Sequence, residues 1–196
     1  MLKTTIKVSF FLVLIVLTIL LNANSLTYVS FFAATIHELG HIIAAKILKI
    51  KLSEIKFDFL GARLVVSEKI LSYRKEILLC FCGPLFNFLS ALLIYIICIC
   101  KGMADPEIKF FIFTSLFLGI LNLLPVRTFD GGRITEALLC FVISPTFAKR
   151  IIDILSFIIV LFLWLISVYF RLIYSSSLSL FAFSISLFFS LFVTEP

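Results

Sequence analysis

The chain has 196 residues, of which 62% are hydrophobic and 14% are charged, and its formal net charge is +6. An average soluble domain is roughly 45–50% apolar and about 25% charged. The mean hydropathy of +1.22 therefore excludes a soluble domain of this size and favours a polytopic membrane protein. The basic residues flank apolar segments, so the positive charge indicates membrane topology and not nucleic-acid binding.

Six apolar segments are candidate transmembrane helices, each near the ~17–25 residues that cross a bilayer. They cover residues 6–24, 26–48, 76–100, 108–124, 150–170 and 175–193. The first is predicted to be a helix and not a secretory signal, because its apolar run is long and "NANS" is a poor cleavage site. The expected fold is all-α and polytopic, with about six transmembrane helices.

The lysines and arginines predict the orientation. With a cytoplasmic N-terminus, 14 of the 17 basic residues lie on the cytoplasmic side, and the other three are Lys101, Lys109 and Arg171. This is a strong positive-inside bias. It predicts that both termini are cytoplasmic and that the second helix carries its polar residues in its cytoplasmic half.

The segment between the second and third helices has a different pattern. "EIKFDFLGARLVVS", residues 54–67, alternates apolar and polar side chains around Phe57 and Phe59, which is a strand signal. Gly61 lies where a turn would fall, and "RLVV" is a candidate return strand. We predict a short membrane-associated β-ribbon, with an amphipathic loop as the alternative.

The sequence "HELGH", residues 37–41, lies inside the second apolar segment and contains both histidines of the chain. On a helix, His37 and His41 share one face and can hold one metal ion, with Glu38 beside them as a general base. Such a zinc ion lowers the pKa of its water to around 7 and polarises a scissile carbonyl. Ionisable residues within a membrane span indicate a functional site.

A catalytic zinc needs a third protein ligand, and the chain has no third histidine. Asp130 in "NLLPVRTFDGGR", residues 122–133, is the best candidate, since Gly131 and Gly132 would let the backbone turn there. A helix N-cap is an equally good explanation of Asp130 from the residues alone.

Two asparagines lie in apolar surroundings. Asn87 follows a Gly-Pro pair, Gly83–Pro84, that is typical of a helix break, and Asn122 precedes the Asp130 loop. Either amide could hold a substrate backbone or an oxyanion near the metal. Either could equally form a hydrogen bond to another helix.

Three segments in this order, "HELGH", "GPLFN" (83–87) and "NLLPVRTFDGGR", resemble the site-2 protease family of intramembrane zinc metalloproteases. "FDFLGARL", residues 57–64, resembles the sporulation-type bacterial members, which process a membrane-associated precursor of a sigma factor. Those members commonly carry a CBS domain after the last helix, and regulation by such a domain is not expected here. "VRTF", residues 126–129, is more polar than is typical of that branch.

The resemblance implies that His37, His41 and Asp130 bind one zinc ion per chain and that Glu38 is the catalytic base. It implies a single transmembrane protease domain over residues 1–196, with a catalytic core at about 26–140 and accessory helices at 1–25 and 150–196. It also implies that the ribbon with Phe57 and Phe59 lies near the active site and receives the substrate as an added strand.

The expected activity is hydrolysis of a peptide bond in or near a transmembrane segment of a membrane-associated protein, such as a pro-sigma factor or another membrane-tethered regulator. The expected location is a bacterial cell membrane, with the active site toward the cytoplasm. The partners are the protein substrate and the bilayer, and a regulatory membrane protein or a second copy is left open. The alternatives are a metal transporter or sensor and an inactive scaffold, and a transporter would tolerate Glu38→Gln.

Overall fold

The computed structural model describes residues 5–8, 24–50, 52–58, 61–66, 71–102, 105–174, 185, 187 and 188. The chain forms two compact units, Met1–Asn122 and Leu123–Pro196. The helices are α1 (Ser25–Ile47), α2 (Tyr73–Lys101), α3 (Pro106–Asn122), α4 (Asp130–Leu139) and α5 (Pro145–Tyr174). The strands are β1 (Thr5–Val8), β2 (Leu52–Asp58) and β3 (Gly61–Val66).

In the first unit, α1, α2 and α3 each pack against the other two. Small residues make the contact between α1 and α2 close, since Ala44 and Ala45 are buried there together with Leu79. At Gly40, a Cβ atom would stand 2.5 Å from the carbonyl oxygen of Cys82. Small residues let apolar helices approach to backbone distance, and this approach brings the polar face of α1 against α2.

Helix α2 continues through Pro84 as one helix of 29 residues, so the helix break expected at Gly83–Pro84 is wrong. Pro84 still has a local effect, because it has no amide hydrogen and cannot donate to the carbonyl of Cys80. Helix α2 packs against both α1 and α3, and Pro84 is buried. The proline therefore removes one intrahelical hydrogen bond without ending the helix.

Four of the six expected spans coincide with α1, α2, α3 and α5. Two of the described helices, Tyr73–Lys101 and Pro145–Phe170, are long and apolar enough to cross a membrane, with mean hydropathies of 2.3 and 2.8. Helix α3 has 17 residues and rises about 26 Å, which is less than the ~30 Å of a bilayer core. The sixth expected span lies almost wholly outside the described residues.

The expected surface of a membrane helix is present on α2. Leu89, Leu92, Leu93 and Ile99 are each more than half exposed, so this helix presents a continuous apolar surface. Soluble monomers rarely expose contiguous apolar patches of this kind. A lipid environment removes the free-energy cost of that exposure.

The strands form one sheet in the order β1-β2-β3. Strands β2 and β3 are antiparallel, with Phe57 opposite Ala62, and β1 runs parallel to β2. The expectation of a helix from residue 6 is therefore wrong for Thr5–Val8, because the backbone of these residues pairs with a strand distant in sequence. The rest of that expected helix, residues 9–23, lies outside the described residues, as does Phe59.

In the second unit, α4 packs against α5, and a short loop precedes α4. The backbone N–H of Arg127 donates a hydrogen bond to Ser156 Oγ on α5 at 2.8 Å. The guanidinium of Arg127 contacts the Asp153 carboxylate at 3.0 Å. This partly exposed ion pair contributes up to about 1 kcal/mol. It also explains the polar "VRTF" segment, whose arginine is paired with an acidic residue of α5.

Candidate metal centre

His37 and His41 lie one turn apart on the buried face of α1. Their Nε2 atoms are 3.2 Å apart, and the two ring planes are nearly perpendicular, at 82°. Two nitrogens bound to one tetrahedral zinc ion at about 2.0–2.1 Å would lie roughly 3.3 Å from each other. The two rings therefore already converge as two ligands of one metal ion would.

The opposite edge of each ring contacts α2. His41 Nδ1 donates a hydrogen bond to the carbonyl oxygen of Leu79 at 2.9 Å. His37 Nδ1 lies 3.2 Å from the side-chain amide of Asn87, which is fully buried. Hydrogen bonds of this kind fix the orientation and tautomer of metal-binding histidines. For Asn87 this contact is the hydrogen bond to another helix that the sequence offered as one alternative, whereas the Leu79 carbonyl was not expected.

Gly83 of α2 faces the two Nε2 atoms. A Cβ atom at this position would overlap His41 Nε2 and would stand 2.8 Å from His37 Nε2. The missing side chain thus leaves space beside the two nitrogens, on the side where an ion would bind. In the sequence, the only signal of this role is a glycine within an apolar segment. Its position before Pro84 favoured a helix break instead.

The residues of α1 and α2 fit a zinc site. Two imidazoles offer Nε2 atoms at the separation that one ion requires, and their other nitrogens are engaged on α2. Gly83 keeps the adjacent space clear. Glu38 follows His37 directly on α1 and is half-buried.

Asp130 belongs to the second unit and is the first residue of α4. The N-cap of that helix is Phe129, so Asp130 is not the N-cap residue. Gly131 and Gly132 are buried, and a Cβ atom at either would overlap the backbone of Leu123 or Val126. Neither glycine has a positive φ, so the expectation that they serve a backbone turn is wrong. Both are needed because another stretch of backbone approaches them closely.

The other predicted substrate residues lie elsewhere in the first unit. Asn122 is the last residue of α3, and its amide nitrogen donates to the carbonyl oxygen of Leu118 at 3.0 Å. Phe57 lies in β2, the central strand of the sheet. The structure therefore brings His37, His41 and Asn87 into direct contact, and it places Asn122 and Phe57 on separate elements.

Comparisons with known proteins agree with this geometry. The sequence model of peptidase family M50 matches residues 26–107 and 101–166, which is more than half of the chain. The fold is similar to the solved structure of a site-2 protease from Methanocaldococcus jannaschii, with a TM-score of 0.67 and 24% sequence identity. That alignment covers 97% of this chain and 92% of the other. No curated protein matches the sequence.

The family match includes the helix that carries His37, Glu38 and His41 and the helix that orients the two rings. The apolar helices α2 and α5 agree with a membrane location. The chain therefore belongs to peptidase family M50, the site-2 protease family of membrane-embedded zinc metallopeptidases.

Proposed function

We propose that the protein is an intramembrane zinc endopeptidase that cleaves a membrane-associated protein substrate. The observation that carries this proposal is the convergence of His37 Nε2 and His41 Nε2, 3.2 Å apart, on a helix with a glutamate beside them. The buried, apolar setting of the two histidines suits a reaction carried out at the depth of a membrane segment. Family membership supports the peptidase activity.

Asp130 is the proposed third ligand, so that two imidazole nitrogens and one carboxylate oxygen bind one zinc ion per chain. This donor set leaves one position open, as a catalytic zinc requires. When bound, zinc supplies the Lewis acid that polarises the scissile carbonyl. Glu38 takes the proton of the attacking water and passes it to the leaving amine. Asn122 supports the substrate backbone.

The substrate is proposed to be a membrane-tethered regulator, such as a pro-sigma factor. Hydrolysis requires an extended backbone, because a helical substrate keeps its carbonyls in i→i−4 hydrogen bonds. The sheet of the first unit would hold that extended segment as an added strand. Since β2 has neighbours on both sides, the added strand pairs with an outer strand, and β2 with Phe57 forms the centre that supports it.

The charge bias supports an orientation in which the active site faces the cytoplasm of a bacterial cell membrane. Fourteen of the 17 lysines and arginines lie within residues 3–7, 46–75 and 127–150, and the positive-inside rule keeps such basic segments on the cytoplasmic side. The proposed topology is multi-pass. A soluble regulatory domain released from its membrane anchor on this side would enter the cytoplasm directly.

The zinc site is tested by elemental analysis of the full chain purified in detergent. We expect one zinc per chain for the unsubstituted protein and for Glu38→Gln, and strongly reduced zinc for His37→Ala and Asp130→Ala. The unfolding temperatures of all chains are compared after zinc has been stripped from each of them, because bound zinc itself raises the unfolding temperature. Equal zinc in Asp130→Ala and the unsubstituted chain would contradict the three-ligand site, and zinc absent from every chain would contradict the function.

The sheet is tested by prolines at Phe57 and Phe59. At Phe57, proline removes a backbone donor from the central strand β2. We expect the double substitution to abolish cleavage of membrane substrates while zinc content stays unchanged, because the histidines lie on α1. Valine at both positions is the matched control, since valine preserves strand structure. Full activity of the proline variant would refute a role of this sheet in catalysis.

A further inference from the structure

Asn87 is a fully buried polar side chain in the first unit, and nothing in the proposed reaction uses it. Its amide nitrogen lies 3.2 Å from His37 Nδ1. Its carbonyl oxygen is buried and has no hydrogen-bond partner among the described residues. A buried amide oxygen without a partner costs about 1–3 kcal/mol, so this arrangement requires an explanation.

The two histidines have different kinds of partner at Nδ1. His41 donates its Nδ1 proton to the Leu79 carbonyl, which can only accept, so the Nε2 atom of His41 keeps its lone pair. His37 faces an amide, which can either donate or accept. If the amide nitrogen faces the ring, His37 Nδ1 accepts a hydrogen bond from it. The single N–H proton of the neutral ring is then on Nε2, where it prevents that nitrogen from binding a metal ion.

Rotating the amide of Asn87 by half a turn gives its carbonyl oxygen a partner and frees His37 Nε2 of its proton. The nitrogen and oxygen of an amide have almost the same shape, so the assignment follows from the hydrogen-bond network. In the rotated form, the carbonyl oxygen accepts a hydrogen bond from His37 Nδ1–H. The orphaned oxygen then has a partner, and both Nε2 atoms present lone pairs to the same point, 3.2 Å apart.

We propose that Asn87 is a positioning residue that fixes the tautomer of His37: its carbonyl oxygen accepts the Nδ1 proton and leaves Nε2 for zinc. This inference rests on the proposed zinc site. It assigns to α2 the orientation of both histidines, through a backbone carbonyl for His41 and a side chain for His37. Asn87 affects catalysis only through the ring of His37, since it is fully buried against that ring.

The first test measures zinc affinity by chelator competition, with the full chain in detergent. Loss of an outer hydrogen-bond partner lowers metal affinity by about 10–100-fold. We expect that loss for Asn87→Leu, whose side chain branches at Cγ as asparagine does and has no acceptor. Asn87→Asp should bind zinc at least as tightly as the unsubstituted chain, because a carboxylate accepts the same proton. Ser115→Ala is the control, since it removes another fully buried polar group on α3.

The second test uses the fact that the chain has only two histidines. With ¹⁵N-labelled histidine, the zinc-loaded protein gives signals from two rings, and we expect a protonated Nδ1 on each. In Asn87→Leu, the Nδ1 proton of His37 should exchange rapidly with solvent, while that of His41 should not change. A merely structural role of Asn87 would not distinguish the two rings.

The outcomes separate this inference from the function on which it rests. If the unsubstituted chain binds no zinc, both are overturned. If it binds zinc and Asn87→Leu binds equally well, or if Asn87→Asp is weakened as much as Asn87→Leu, only the role of Asn87 is overturned. If Asn87→Leu does not fold, the comparison of Asn87→Asp with the unsubstituted chain decides.

Discussion

Glu38→Gln will leave the zinc content of the protein unchanged and will lower its peptidase rate by a factor of about 10²–10⁴, the contribution of a positioned general base. Glutamine has nearly the shape of glutamate but cannot take a proton from water at neutral pH. The histidines stay in place because their Nδ1 partners are on α2. The measurement is the appearance of new protein N-termini in membranes of cells that produce each chain.

Glu107→Gln is the matched control, because Glu107 is an exposed glutamate in the first turn of α3. That chain should keep full activity. Cleavage at the unsubstituted rate in Glu38→Gln would refute the catalytic base. It would also favour a metal transporter or sensor, for which a glutamine beside the ligands is acceptable.

Gly83→Ala will remove zinc from the protein, although alanine favours a helix over glycine by about 1 kcal/mol. The new methyl group would overlap His41 Nε2 and press on His37 Nε2. Moving α1 and α2 apart is costly, because the close backbone packing between Gly40 and Cys82 would be lost. Overpacking of this kind costs about 1–3 kcal/mol, and displacing the rings is the easier response. Elemental analysis measures the result.

Gly119→Ala is the control for this change. A Cβ atom at Gly119 would stand 2.9 Å from the ring of Phe88, which can rotate, and it would not approach the histidines. This chain should retain one zinc. Normal zinc in Gly83→Ala would show that the rings do not converge beside α2, and the geometry of the metal centre would have to be revised.

The sequence was sufficient to predict the paired histidines, since their contact depends on residues four positions apart on one helix. Four helices also followed from apolar segments of suitable length. These features are local, and hydrophobicity and spacing determine them. The family resemblance connected Asp130 to the histidines, because the residues alone allowed an N-cap role equally well.

The contacts between α1 and α2 could not be predicted. Asn87 lies 50 residues from His37, and the hydrogen bond between them depends on the axial register of two helices. The Leu79 carbonyl has no sequence signature at all, since every residue carries one. Strand β1 was missed for a similar reason. Its residues read as the start of an apolar helix, and only their pairing with β2 makes them a strand.

Leu79, Gly83 and Asn87 occupy successive turns of α2, and all three contact the histidine pair. A slide of α2 along α1 by about 1.5 Å, the rise of one residue, would lengthen both hydrogen bonds to the rings and displace Gly83 from the two Nε2 atoms. Zinc binding is therefore thermodynamically coupled to the register of α2 against α1. Helix α2 holds the orientation of the rings that bind the ion, so a force that shears α2 against α1 weakens the catalytic centre directly.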